Sequence, residues 1–491
     1  MKNIKFDNSY ARLSDRFFVR QEPVVVPAPQ LIRLNVELAE SLGVDPDSRA
    51  TVEWAEIFAG NVLLDGSDPL AMAYAGHQFG SFVPQLGDGR ALLLGEVIDG
   101  NGVRRDIQLK GSGPTAFSRG GDGRSAIGPV LREYVVSEAM HAFGIPTTRA
   151  LAAVTTGASV YRETKLPGAI LTRVARRHVR VGTFQFFAAR SNWQAVRELA
   201  DYVVWRNYPD LQDRPARYAE WLQAVGERQA KLVSSWLGVG FIHGVMNTDN
   251  MSVAGETIDY GPCAFMDAYD PATVFSSIDH GGRYGYENQL RIVQWNLARL
   301  AETVLPLLND DHEKAVSQAT EIVEAFYPHT EECWLDVMSR KLGFSELRNG
   351  DRAFVESLLK LMHEGQADFT LTFRCLWKAI GSEETPNELS DLVGASEKLD
   401  NWFQSWRKRV FSEGVSPQEV AERLRKTNPA LIPRNHNVER VITAAVTDGD
   451  FAPFDHLVER LATPYEASAD TVPEAEPPRP EQRVTQTFCG T

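Results

Sequence analysis

Apolar and polar positions alternate in short runs between residues 70 and 184: Ala91–Val97, Asp106–Lys110, Arg149–Thr155, Ser159–Glu163 and Ala169–Val174. A period of two predicts strands. One run with helical spacing interrupts them, from Pro129 to near Phe143, with Gly144 as its stop and Pro146 beyond. Strands with a single inserted helix predict a small α+β unit. From residue 185 onward the apolar spacing lengthens to three and four. It predicts helices over Trp193–Tyr208, Arg217–Val239, Asn288–Leu308, Asp311–Tyr327, Asp351–Gly365, Ser396–Glu413 and Pro417–Thr427, with a polar loop at 243–262. A short helical pattern near Leu31–Leu42 follows the Pro-rich stretch that holds Pro23, Pro27 and Pro29. The Pro-rich, acidic tail 464–483 reads as an extended or disordered strap.

These changes of period divide the chain into an N-terminal extension (1–69) packing on a β-rich lobe (70–184), a helical lobe (185–460) and a flexible tail (461–491). The expected fold class is α+β, with a small-molecule site in the cleft between the two lobes.

Composition narrows the function. Lys and Arg number 51 against 65 Asp and Glu, a net charge of −14, which argues against a nucleic-acid coat. Four cysteines in 491 residues are no disulfide framework. The sequence has no apolar run approaching the roughly 18 residues of a membrane span, and its N-terminus lacks the apolar segment of a signal peptide. A cytoplasmic protein without a membrane or nucleic-acid partner is expected. H-E-x-x-H, zinc-type Cys spacing and G-x-S-x-G are all missing from the sequence, so those hydrolase and metal classes fall away.

The candidate chemistry lies in five places. In QLGDGRA (85–91), Gly87 and Gly89 flank Asp88 and precede Arg90, either a phosphate-approaching loop or a plain Asp-Gly turn. Lys110 ends an alternating run and points either into the cleft as a phosphate-binding charge or into solvent. The inserted helix carries Glu133 within its apolar pattern, where a carboxylate needs a cation such as Lys110, and Glu138, expected on the wet face. Basic residues cluster at 162–180, including Arg173 and Arg180, and at Arg119 and Arg124 around Asp122 and Gly123; such an island in an acidic chain suits a polyanion such as a nucleoside triphosphate. Finally, in FIHGVMNTDNMSVAGETIDYGP (241–262), His243 and Asn250 have the spacing of a kinase catalytic loop, and Asp259-Tyr260-Gly261 stands where D-F-G would. Asn250 and Asp259 offer hard oxygen ligands for Mg²⁺ or Mn²⁺. Val245 occupies the position of the kinase base, while Asp249 is a carboxylate with no assigned partner.

FDNSYARL (6–13), YAGHQFG (74–80), QLGDGRA (85–91), QLKGSGPT (108–115), HGVMNTDN (243–250), TIDYGPCAFMD (257–267) and a Cys near the C-terminus together make the chain resemble the selenoprotein O family. The resemblance implies a kinase-like two-lobed fold, an atypical pseudokinase, that moves AMP from ATP to Ser, Thr or Tyr hydroxyls of proteins, with ATP flipped relative to kinases and pyrophosphate leaving. It implies an ion pair of Lys110 with Glu133 and a metal, Mg²⁺ or Mn²⁺, on Asn250 and Asp259. It implies Asp249 as catalytic base, and a nucleotide lined by Gly87, Gly89, Arg90, Lys110, Asp122, Gly123, Arg173 and Arg180. It further suggests a redox disulfide between Cys263 and Cys489, against the alternative of two free thiols. The expected molecule is a monomer. Three rival functions stay open: UTP-dependent transfer with Mn²⁺, a conventional phosphotransferase, and a catalytically inactive ATP-binding module.

Overall fold

In the computed structural model, which describes residues 4–488, ten strands lie between residues 18 and 175. They are β1 (Phe18–Arg20), β2 (Gln30–Leu34), β3 (Leu70–Met72), β4 (Gly76–Gln78), β5 (Ser81–Val83), β6 (Ala91–Ile98), β7 (Arg104–Lys110), β8 (Ser125–Ala126), β9 (Arg149–Tyr161) and β10 (Lys165–Ala175). β4 and β5 form a separate hairpin; the others make one sheet in the order β1–β3–β6–β7–β10–β9–β2, with β8 beside β10. All of its pairings are antiparallel.

The two runs expected at 149–155 and 159–163 are one strand, β9, because a bulge opposite Pro167 carries its pairing with β10 past the irregular stretch. The helical pattern expected near Leu31–Leu42 is split. Residues 30–34 join the sheet as β2, and Asn35 then caps a short helix, α1 (Val36–Ser41), by accepting from the Leu38 N–H at 3.1 Å. α2 (Thr51–Phe58) follows.

Strand alternation sorts the chemistry onto one face of the sheet. Ile107 and Leu109 point to one side and pack with Trp54, Ile57 and Phe58 of α2. Gln108 and Lys110 point to the other, and the register sets Arg173 of β10 directly opposite Gln108. α3 (Ile127–Ala142) lies across that second face, with Val130 and Leu131 packed on Ala169 and Leu171.

The rest of the chain is helical: α4 (Val181–Ala188), α5 (Trp193–Asn207), α6 (Arg217–Gly238), α7 (Gln289–Leu308), α8 (His312–Lys341), α9 (Asp351–Gly365), α10 (Phe369–Ala379), α11 (Asn387–Val393), α12 (Glu397–Phe411), α13 (Pro417–Thr427), α14 (Asn435–Thr447) and α15 (Ala452–Leu461). Between α6 and α7 the short strands β11 (Phe241–Ile242) and β12 (Ala264–Phe265) pair and bracket the polar loop. α8 runs straight through Pro328, where the sequence pattern ends. A proline inside a helix costs about 3 kcal/mol; Ala319 and Phe326 before it, and Thr330 and Met338 after it, are all buried and hold the helix through. α14 and α15 return to the sheet, where Val441, Phe454 and Leu457 cover Val130, Leu131 and Tyr134 of α3.

Beyond α15 the chain runs as a strap of short 3₁₀ turns. Arg374 donates to Asp470 at 2.7 Å, Arg434 to the Ala475 carbonyl at 2.9 Å, and Asn437 to the Glu474 carbonyl at 3.0 Å. Among the described residues no helix is long and apolar enough to cross a membrane.

Candidate active site

A cavity of about 680 Å³ opens between the sheet and the polar loop. Among the described residues its lining includes seven Lys or Arg and four Asp side chains, an excess of positive charge in a chain whose net charge is −14. Every residue named above for the nucleotide, the metal and the base lines it, and Glu133 stands directly behind Lys110.

Lys110 Nζ donates to Glu133 Oε2 at 2.6 Å, and Arg173 Nε donates to the other oxygen of the same carboxylate. Both acid and lysine are buried. Burial alone raises the Glu133 carboxyl, but the Arg173 and Lys110 charges outweigh it and hold it below its ordinary value. Burial lowers Lys110, and the Arg173 charge lowers it further. Glu138, expected to face water, is instead mostly buried: it accepts from Arg149 at 2.7 and 2.9 Å, from Asn35 at 2.8 Å and from the Ala150 N–H at 2.9 Å. One helical turn beyond Glu133, it pins α3 to β9 and the start of α1.

The loop is shaped by His243, whose ring nitrogen Nε2 donates to the Ile258 carbonyl at 2.9 Å and ties the two halves of the loop together. Burial lowers its pKa, so the ring is a neutral strut. The Asn250 amide donates to the Val245 carbonyl at 2.8 Å, which leaves its Oδ1 for the cavity. Asp259 has a left-handed backbone, φ 60°, unusual outside glycine. Its Oδ1 accepts from Arg173 at 2.6 Å and its Oδ2 from Arg180 at 2.9 Å, with Lys110 3.9 Å away. Burial opposes its charge, but these cations overcome that and hold it well below the ordinary carboxylate range. Each carboxylate oxygen keeps a second lone pair, so Asn250 and Asp259 together form a donor set that fits a Mg²⁺ or Mn²⁺ ion otherwise ligated by phosphate and water.

Asp249 differs from Asp259. Burial pushes its carboxyl up to about 6. Oδ2 accepts a long hydrogen bond from Gln78 at 3.3 Å, while Oδ1 is buried without a partner among the described residues. A buried unpaired carboxylate oxygen is costly unless something arrives to use it.

A model of the protein adenylyltransferase SelO family matches residues 1–462. The chain belongs to this family. It is 58% identical to the protein nucleotidyltransferase YdiU of Bradyrhizobium sp. (strain ORS 278) over 486 residues, 99% of both chains. It is 58% identical over 490 residues to the protein of the same name from Rhizobium rhizogenes, covering 99% of this chain and 97% of that one. The protein of that name from Methylorubrum populi is 56% identical over 492 residues.

With the SelO family as frame, the glycines find a steric reason. Gly87, at φ 74°, has the Phe117 ring 2.3 Å from where a Cβ would sit, and at Gly123, φ 63°, a Cβ would meet the Gly113 carbonyl at 2.1 Å. Asp122 lines the cavity but is engaged with Arg162 at 2.8 Å, and Asp88 turns inward to accept from the Met72 N–H. Cys263 is buried, and burial pushes its thiol up to about 12. Cys489, its expected partner, lies outside the described residues. The chain comes near all the same: Thr487 Oγ1 donates to the Pro262 carbonyl at 2.5 Å, and the Phe488 carbonyl accepts from Arg132 at 3.1 Å.

Several site residues carried no signal of their own in the sequence. Tyr74 places its ring 4.5 Å beneath the Arg180 guanidinium. Thr248 accepts from the His77 N–H at 2.6 Å and donates to Gln185 at 2.6 Å, and Gln185 in turn donates to His77 Nδ1 at 2.8 Å. Gln78 reaches Asp249 from the β4–β5 hairpin. The motif YAGHQFG marks that hairpin without assigning it a role.

Proposed function

We propose that this protein is a nucleotidyltransferase that moves AMP from ATP to Ser, Thr or Tyr hydroxyls of proteins, with ATP flipped so that its α-phosphorus faces Asp249. The observation that carries the reading is Asp249, a carboxylate that lines the same cationic cavity as Lys110, Asn250 and Asp259 and whose Oδ1 has no hydrogen-bond partner among the described residues. Membership of a family described as protein adenylyltransferases supports it. The names of the relatives say nucleotidyltransferase, so the choice of ATP over UTP is part of the proposal.

In this reading the acceptor hydroxyl gives its proton to Asp249, its oxygen bonds to the α-phosphorus, and the bond from that phosphorus to the bridging oxygen breaks to release pyrophosphate. A base with a pKa near the working pH is well placed for such a transfer. Val245 at the kinase base position is then no defect, because the attacked phosphorus has moved. Arg90, Lys110, Arg173 and Arg180 hold the phosphates, and Glu133 keeps Lys110 aimed. A divalent ion on Asn250 and Asp259 supplies charge neutralisation at the phosphate oxygens. The kinase-like two-lobed architecture, a cytoplasmic setting, a monomeric state and a regulatory Cys263–Cys489 disulfide belong to the same proposal.

Incubation with ATP labelled at the α or the γ position tests it. The α label is expected on protein, with an intact-mass gain matching AMP. Transfer of the γ label instead would make the protein a phosphotransferase, transfer from UTP alone would reassign the nucleotide, and no transfer from any nucleotide would make it a binding module.

A further inference from the structure

The β4–β5 hairpin stands apart from the main sheet, and Gly80, Ser81 and Phe82 at its outer end are exposed. Its inner side nevertheless reaches three successive residues of the polar loop. The Phe79 N–H donates to Asn247 Oδ1 at 3.1 Å, the His77 N–H to Thr248 Oγ1 at 2.6 Å, and the Gln78 amide to Asp249 Oδ2 at 3.3 Å. Thr248 donates to Gln185 on α4 at 2.6 Å, and the Gln185 amide donates to His77 Nδ1 at 2.8 Å, which closes a ring of contacts. At the foot of the hairpin, the Ala75 N–H donates to the Gly182 carbonyl at 2.9 Å. The hairpin is thus fixed against α4 and the loop together.

Gly76 carries a second, independent observation. It lies in β4 with no left-handed φ, so its own backbone would accept alanine. What an added Cβ would meet is Asp249: Oδ1 at 2.6 Å, and Cβ and Cγ at 3.0 Å. The glycine is required by the side chain beside it and not by its own conformation. One carboxylate oxygen of Asp249 therefore rests on the Gly76 backbone, and the other takes the Gln78 amide. A single long bond leaves Oδ2 a lone pair for an incoming proton.

We infer that Gln78 is a positioning residue for Asp249, with Gly76 as the surface against which it holds the carboxylate, so that the hairpin aims the base at the nucleotide cavity. This inference rests on the reading of Asp249 as the base.

The full chain is assayed in single turnovers with α-labelled ATP and a fixed excess of casein as hydroxyl donor, counting label on protein together with AMP released to water. Affinity for a non-hydrolysable ATP analogue is measured in parallel. Gln78→Met, which keeps the length and loses the donor, is expected to lower the saturating rate about tenfold, the scale of effect that misplacing a reacting group produces. The ATP concentration for half-saturation and the analogue affinity are expected to hold. Gly76→Ala, which pushes the carboxylate aside, is expected to act in the same way. In the Asp249→Asn background each substitution is expected to change the rate by less than about twofold, because no base is left to aim, whereas a general fault in the fold would lower both backgrounds by one factor.

Equal losses in the two backgrounds, an unchanged rate in either single variant, or a loss of analogue affinity, which would make Gln78 a nucleotide contact, overturns the inference and leaves Asp249 as the base. Full transfer by Asp249→Asn overturns the base reading, and a wild type that moves no α label overturns the transfer reading; either takes the inference with it.

Discussion

Arg173 donates from Nη2 to Oδ1 of Asp259 at 2.6 Å, while its Nε donates to Glu133. One guanidinium thus joins the proposed metal ligand to the carboxylate that aims Lys110. A divalent ion held by Asp259 would share that carboxylate with Arg173 and Arg180. Asp259→Asn is expected to abolish the metal dependence of nucleotide binding, read by titrating an ATP analogue with and without Mg²⁺, and to lower transfer by at least about 10²-fold.

Lys110 and Glu133 form a buried pair, and breaking such a pair from one side costs about 3–5 kcal/mol. Lys110→Met is expected near the lower end, since Glu133 keeps Arg173. Denaturant unfolding of Lys110→Met, Glu133→Gln and the double variant checks this. The double variant should lose less than the sum of the singles.

Asp249→Asn removes the proposed base and leaves the shape of the site. The expected loss in kcat is roughly 10²–10⁴-fold, with the affinity for an ATP analogue unchanged. Retention of full α-label transfer by this variant would remove Asp249 from the chemistry.

Lys341 is buried beneath the Phe373 ring at 4.4 Å and donates to Asn428 Oδ1 at 2.9 Å, with no carboxylate among the described residues paired to it. Burial pushes its ammonium down to about 7 from 10.5. Between those values the unfolded chain binds a proton that the folded chain gives up, so stability rises with pH across the window, and the cost of the buried cation is fully present below about pH 7. Relative to Lys341→Met, the wild type is expected to gain about 1–2 kcal/mol between roughly pH 7 and 9 in denaturant titrations.

Cys263, with its thiol raised to about 12, is a weak nucleophile at neutral pH. Under oxidised glutathione, Cys489 is expected to react first, and exchange then passes the link to Cys263. The two thiols lose two protons and two electrons, and glutathione leaves in reduced form. Non-reducing peptide mapping should find the 263–489 linkage in the wild type and lose it in Cys489→Ser.

Much of this site was readable before any fold was known. Lys110 closes a run of period two and Glu133 sits inside a helical run, and pairing β7 with β10 beneath α3 is enough to bring them together. Asn250 and Asp259, singled out by spacing within one loop, do line the same cavity. Gln78 did not, because its contact with Asp249 joins positions 171 residues apart and depends on a hairpin packing against a loop. Glu138 was misplaced because a polar residue in a helical pattern reads as solvent-facing unless its distant partner, here Arg149, is known. Pro328 broke the predicted helix because local preference does not record the packing on both sides of it. The return of α14 and α15 to the sheet had no sequence signature, since a helix's apolar face does not say what it covers.

That return has a consequence for how the molecule becomes competent. A ribosome has already delivered Lys110, Glu133, Asn250 and Asp259 when residues 435–461 are still unmade, and until those arrive Val130, Leu131 and Tyr134 lack their cover. Nascent chains acquire native order piece by piece. Here a late-made piece seats the helix that carries Glu133, so a polypeptide ending before residue 435 is expected to leave the lysine's partner helix uncovered and to bind an ATP analogue more weakly than the full chain.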